Sequence, residues 1–169
     1  VGGVKMNIFN SDDTKLAYTE MANRLGPKAL LMEMAPADVE LSFGAIYDEG
    51  FGMVVIVSAG GVLIELLNDK VAALAPFNSE LAKRLLNEMS VSRLLSGYRG
   101  RPATDTDGLA LQLARFSRMV ALLGDAISEI DINPVTCGPD GAFAVDFLLV
   151  PKANYSDDKD LYLEPSEIM

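Results

Sequence analysis

The stretch best equipped for chemistry is Glu129-Ile130-Asp131-Ile132-Asn133-Pro134. Read as a strand, it places Glu129, Asp131 and Asn133 on one face and Ile130 and Ile132 on the other. A further acid, Asp146, lies inside the apolar run Phe143 to Val150, and Gly138-Pro139-Asp140-Gly141 between the two runs has the composition of a tight turn. If that turn closes about its centre, Asn133 stands opposite Asp146. A slip of one residue would carry Asp146 to the other face, whereas a two-residue change would keep it there. Three carboxylates and an amide on one face are costly without a cation. Oxygen-only ligands suit Mg²⁺, which keeps some waters and takes phosphate oxygens as further ligands. The alternative is a ribbon whose polar face simply meets water.

Three other groups of residues carry weaker signals. Glu33-Met34-Ala35-Pro36 leads into Glu40. A strand, a turn and a strand there would offer main-chain N–H and C=O groups to a planar ligand edge and a carboxylate to hydroxyl groups; surface acids beside a hairpin are the other reading. Gly60 and Gly61 stand between apolar runs, followed by Glu65 and Asp69, and allow either close backbone approach or a tight turn. Arg99 and Arg101 sit in the loop Gly97 to Pro102, where guanidinium groups clamp phosphate or carboxylate, or merely solubilise. Cys137 has no histidine to activate it and reads as structural.

Composition narrows the chemistry further. The 169 residues contain no histidine, which removes Ser-His-Asp and Cys-His catalysis and most zinc and iron sites. Fourteen Lys and Arg against 24 Asp and Glu leave a net charge of −10, which disfavours nucleic acid and anionic membranes as partners. The longest apolar candidate, Met53 to Leu67, is broken by Ser58, Gly60, Gly61 and Glu65, so no membrane span is expected. With one cysteine and no visible signal peptide, the expected compartment is the cytoplasm. Neither a Walker A motif nor a G-x-G-x-x-G motif is present.

The elements that must position these residues emerge from periodicity. Strands are expected at Val4 to Phe9, Ala29 to Met34, Val39 to Tyr47, Met53 to Val57, Val62 to Leu67, Ile127 to Val135 and Phe143 to Val150. A helix capped at Ser11-Asp12-Asp13 should run to Gly26-Pro27, with Ala17, Met21 and Leu25 as its apolar stripe. Leu81, Leu85 and Met89 mark a second helix, Val91 to Leu95 a short one, and Leu109 to Leu123 a long one capped by Asp105 or Thr106. This order argues for an α+β fold with a mixed or antiparallel sheet packed with helices. The domain is expected to span 1–150, with 151–169 as an acidic tail or linker.

Taken together, Val1-Gly2-Gly3-Val4-Lys5, Glu33-Met34 through Glu40-Leu41, Phe51-Gly52, Gly60-Gly61-Val62 with Glu65 and Asp69, Ala75-Pro76, Gly97-Tyr98-Arg99-Gly100 and Glu129 to Pro134 with Val145-Asp146 resemble, in order, the ATP-grasp domain of ADP-forming acyl-CoA synthetases, related to the succinyl-CoA synthetase β subunit. The resemblance implies an ATP or ADP held between two lobes. Glu33, Met34, Ala35 and Pro36 would lie at the adenine hinge, Glu40 on the ribose and Gly60-Gly61 near the nucleotide. Asn133 and Asp146 would hold Mg²⁺ with support from Glu129 or Asp131, and Arg99 would stand near the transferring phosphoryl group. Ser58 departs from the first glycine of the family's G-x-G-G loop. The implied reaction is acyl-CoA + ADP + phosphate ⇌ carboxylic acid + CoA + ATP, through acyl phosphate and phosphohistidine. CoA and the phosphohistidine would belong to CoA-binding and ligase domains of the same polypeptide or a partner subunit. The resemblance also implies an N-terminal part of the domain upstream of Val1. A non-catalytic nucleotide-sensing module fused to an acetyltransferase is the alternative, and homo-oligomerisation stays open.

Overall fold

The computed structural model describes residues 2–35, 39–60 and 69–152, which belong to two compact units, Val1–Ala35 and Pro36–Met169. In the first unit, helix α1 spans Ser11–Leu25. Its cap is Asn10 rather than the expected Ser11 to Asp13: the Asn10 side chain accepts the N–H groups of Asp12 and Asp13 at 3.0 and 2.9 Å. Asp12 and Asp13 then fall in the first turn and Arg24 in the last, each complementing the helix dipole. Gly26, at φ +100°, ends the helix as expected. Lys5 Nζ reaches Glu20 Oε2 at 2.7 Å, and this hydrogen bond and charge hold the Glu20 carboxyl below its usual range.

Two expected strands of this unit do not form. Val4 to Phe9 is irregular, with Asn7 left-handed at φ +60° and Phe9 82% exposed. Ala29 to Met34 is irregular as well, and Leu30 is 81% exposed. A strand exists only where a neighbour accepts from its N–H groups and donates to its C=O groups, and among the described residues neither segment has one.

In the second unit, β1 (Val39–Asp48), β2 (Gly52–Ala59), β3 (Lys70–Leu74), β4 (Ile127–Gly138), β5 (Gly141–Ala144) and β6 (Phe147–Pro151) form one antiparallel sheet among the described residues. The order is β3-β2-β1-β4-β5, with β6 also on β4. The Asp48 carboxylate closes the β1–β2 turn by accepting the N–H groups of Gly50 and Phe51. The single expected strand Phe143 to Val150 is two strands, interrupted at Val145-Asp146. β3 has no counterpart among the expected strands. The expected strand Val62 to Leu67, the turn Pro36 to Asp38, Gly61, Glu65 and the tail after Lys152 lie outside the described residues.

Helices α2 (Ser79–Glu88), α3 (Ser92–Leu95) and α4 (Thr106–Leu123) accompany the sheet. Asn78 caps α2 and Asp105 caps α4, each accepting an N–H of the first turn. Alternation along β1 and β2 buries Leu41, Phe43, Ala45, Met53, Val55 and Val57 in one core with Leu86, Leu109, Leu113 and Phe116. Phe43 and Phe116 rings meet at 5.8 Å. Each fully buried Leu contributes roughly 1.5–3 kcal/mol. The other sheet face keeps Val54, Ile56 and Ser58 only partly covered. Asp69 is a structural staple: its two carboxylate oxygens accept the N–H groups of Ser90 and Val91, each at 2.8 Å. Along the outer edge, β6 is apolar and open, with Phe147 69% exposed.

Candidate functional site

The ribbon of β4 with β5 and β6 closes in the register that a symmetric Gly138 to Gly141 turn predicts. Val135 pairs with Ala144 and Ile132 with Phe147, which places Asn133 directly across from Asp146 in the interruption between β5 and β6. Asn133 N–H donates to Asp146 O at 3.0 Å, and Val145 N–H donates to Pro134 O at 3.0 Å. Neither residue is buried. Asp146 Oδ1 accepts the Phe147 N–H at 2.8 Å, which aims the carboxylate and leaves Oδ2 unpartnered among the described residues.

An irregularity also lies on the other side of β4. Leu41 of β1 pairs with Val135, but Phe43 pairs with Ile132, so Ser42 faces two residues, Asn133 and Pro134. This is a β-bulge, and Pro134 has no N–H to give to the ladder there. Before the bulge, Asp131 stands opposite Gly44 and Glu129 opposite Ile46. Ser42 Oγ donates to Asp131 Oδ1 at 2.9 Å. A Cβ on Gly44 would meet Asp131 Oδ1 at 3.7 Å, an ordinary contact, so the carboxylate does not require a glycine there. Glu129 is exposed, two residues before Asp131 on the strand.

After the bulge, Thr136 pairs with Glu40. Thr136 Oγ1 is buried with no hydrogen-bond partner among the described residues. Gly60 N–H donates to Glu40 O at 2.6 Å, and a Cβ on Gly60 would come 2.6 Å from the Glu40 carbonyl carbon. The expected close backbone approach is therefore present at Gly60. Glu33, Met34 and Ala35 belong to the first unit, where Glu33 and Met34 are exposed. Arg99 lies in the loop between α3 and α4, at φ +49°, with its guanidinium 5.3 Å from the centre of its neighbour Tyr98. Asp105 N–H, at the far end of that loop, donates to Gly138 O and so fastens the loop to the turn of the ribbon.

Thus Asn133 and Asp146 are brought face to face, with Asp131 held one step away by Ser42. Among the described residues, no three Asp, Glu or Cys side chains converge closely enough to hold a metal ion. A cation here would rest on the Asn133 amide oxygen and the Asp146 carboxylate, completed by water or ligand oxygens. That hard-oxygen donor set fits Mg²⁺. Sequence reasoning missed Ser42 and Thr136.

A family model described as an ATP-grasp domain matches residues 1–150. The chain belongs to the ATP-grasp family. This ATP-grasp domain is 34% identical over 157 residues to the ADP-forming acetate–CoA ligase I of Archaeoglobus fulgidus, covering 89% of the chain and 23% of that protein. It is 32% identical to the β subunit of an ADP-forming acetate–CoA ligase I from Pyrococcus furiosus, covering 88% of the chain and 67% of the subunit. Among solved structures, it resembles the dinucleotide-forming acetyl-coenzyme A synthetase 1 of Candidatus Korarchaeum cryptofilum in complex with coenzyme A and Mg-AMPPCP. There the TM-score is 0.80 and the identity 33%, over 89% of this chain and 68% of that one. The ATP-grasp domain therefore spans less than a quarter of the first of these ligases and about two thirds of the separate β subunit. It is an α+β, antiparallel ATP-grasp fold, as its sequence implied.

Proposed function

We propose that the chain is the nucleotide- and Mg²⁺-binding part of an ADP-forming acid–CoA ligase whose CoA-binding and phosphohistidine-bearing domains lie on other segments or on a partner subunit. The carrying observation is the placement of Asn133 across from Asp146, in a chain matched over 1–150 to the ATP-grasp family. In this reading Asn133 and Asp146 would hold Mg²⁺ on the nucleotide phosphates, with support from Asp131, which Ser42 fixes, or from Glu129. Bound Mg²⁺ neutralises charge on the transferring phosphoryl group and fixes its line of approach. Glu40 accepts hydrogen bonds from ribose hydroxyls. Gly60 lies near the nucleotide, and Arg99 meets phosphoryl oxygens. Of the span 151–169 expected as an acidic tail or linker, Pro151 belongs to β6, so the tail or linker begins after it. The compartment is the cytoplasm, in keeping with a reduced Cys137.

Calorimetry with Mg-ADP on the full-length parent tests this reading. Asn133→Ala and Asp146→Ala should each weaken binding by about 10-fold or more. Mg²⁺-free ADP should be far less sensitive to either substitution. Equal Mg-ADP affinity in the parent and both variants would refute the metal assignment.

A further inference from the structure

The helical side of the second unit carries a groove of about 750 Å³ in which three of the chain's seven arginines, Arg84, Arg115 and Arg118, surround an apolar floor that includes Phe77, Leu81 and Leu111. Among the described residues no carboxylate lines it, although acids outnumber bases across the chain. None of the three arginines has an ion-pair partner among the described residues, where Lys5, Lys15 and Lys83 all do. Arg115 and Arg118 stand three apart on α4, so they share a face and repel each other. Arg84 adds a third positive charge from α2. An acidic protein that gathers unpaired guanidinium groups into one hollow has built a local field opposite to its overall one.

We propose that this groove is a second anion site, separate from the Asn133–Asp146 ribbon, that takes a phosphate-bearing small molecule with an apolar or aromatic body. Guanidinium forks recognise phosphate through paired hydrogen bonds, and three of them from two packed helices converge on one ligand. The volume falls within the usual range for organic ligands and exceeds what inorganic phosphate fills. Phe77 offers a ring for the ligand body, and its backbone is fixed: its N–H donates to Ser117 Oγ at 3.1 Å, and Ser117 is fully buried. None of the ribbon residues lines the groove.

The test is a side-chain NMR titration of the full chain, following the arginine Nε–Hε signals. The probes are ADP and inorganic pyrophosphate, both without divalent metal. The Arg84, Arg115 and Arg118 signals should move together along one saturating curve while Arg93 stays still, with ADP binding more tightly than pyrophosphate. The double variant Arg115→Gln/Arg118→Gln should weaken ADP binding at this site by about 10-fold or more. Asp146→Ala should leave the curve unchanged, which separates this site from the ribbon. Shifts that never saturate, or that sodium chloride of equal ionic strength reproduces, would overturn the proposal. So would saturation by an acidic peptide such as oligoglutamate but not by ADP, which would make the groove a protein-docking surface.

Discussion

Cys137 has no exposed surface, and its thiol lies 3.6 Å from Val135 O. Burial pushes its pKa up from 9.0 to about 12, because the thiolate would lose its hydration. The native state therefore keeps this proton when the unfolded chain gives it up. The resulting stabilisation is complete below pH 9, and it is lost as pH rises from 9 towards 12. Urea unfolding at several alkaline pH values should show the parent losing stability more steeply than Cys137→Ala across that window. Parallel slopes would contradict the burial argument. Alkylating reagents at neutral pH should modify the thiol only at the rate of opening.

Among the elements, the β4 ribbon and its neighbour β1 decide how the site is assembled. Gly60 sits where the end of β2 passes over Glu40, and a methyl group there would overlap the Glu40 backbone. Gly60→Ala should cost about 1–3 kcal/mol by urea unfolding. It should also shift the Glu40 backbone resonances; an unchanged stability would mean the crossing relaxes freely. The placement of Asn133 against Asp146 was legible in sequence because a short symmetric turn transmits register locally along both strands. The bulge at Asn133-Pro134 was not legible, because it lies in the pairing of β4 with β1, a strand far upstream in the chain. Ser42 and Thr136 escaped notice for the same reason: their roles arise from long-range pairing of β1 with β4. Periodicity proposed strands at Val4 to Phe9 and Ala29 to Met34, yet alternation describes only a surface that a strand would bury and supplies no partner to hydrogen-bond it. Asp69 counts among the residues that carry the family resemblance, and its carboxylate is committed to two backbone N–H groups.

For the whole molecule, charge dominates. The net charge of −10 sets the chain against itself, and the ion pairs Lys5–Glu20, Lys15–Asp12 and Lys83–Asp107 are all solvent-exposed and contribute little. Salt shortens the range of the repulsion from roughly 30 Å at 0.01 M to roughly 3 Å at 1 M. Thermal unfolding in sodium chloride should therefore show Tm rising with ionic strength, and a falling Tm would mean that attractive pairs outweigh the repulsion. The outer edge of β6 has the opposite character. Among the described residues β6 pairs on one side only, with β4; the Phe147 N–H is taken by Asp146 Oδ1 and Pro151 blunts the far end, but Leu148 and Leu149 between them leave open edge beside exposed apolar side chains. Concentrated preparations of this polypeptide by itself will therefore tend to stitch molecules together along that border, and anything that lies along it in a larger assembly acts as a guard against fibres.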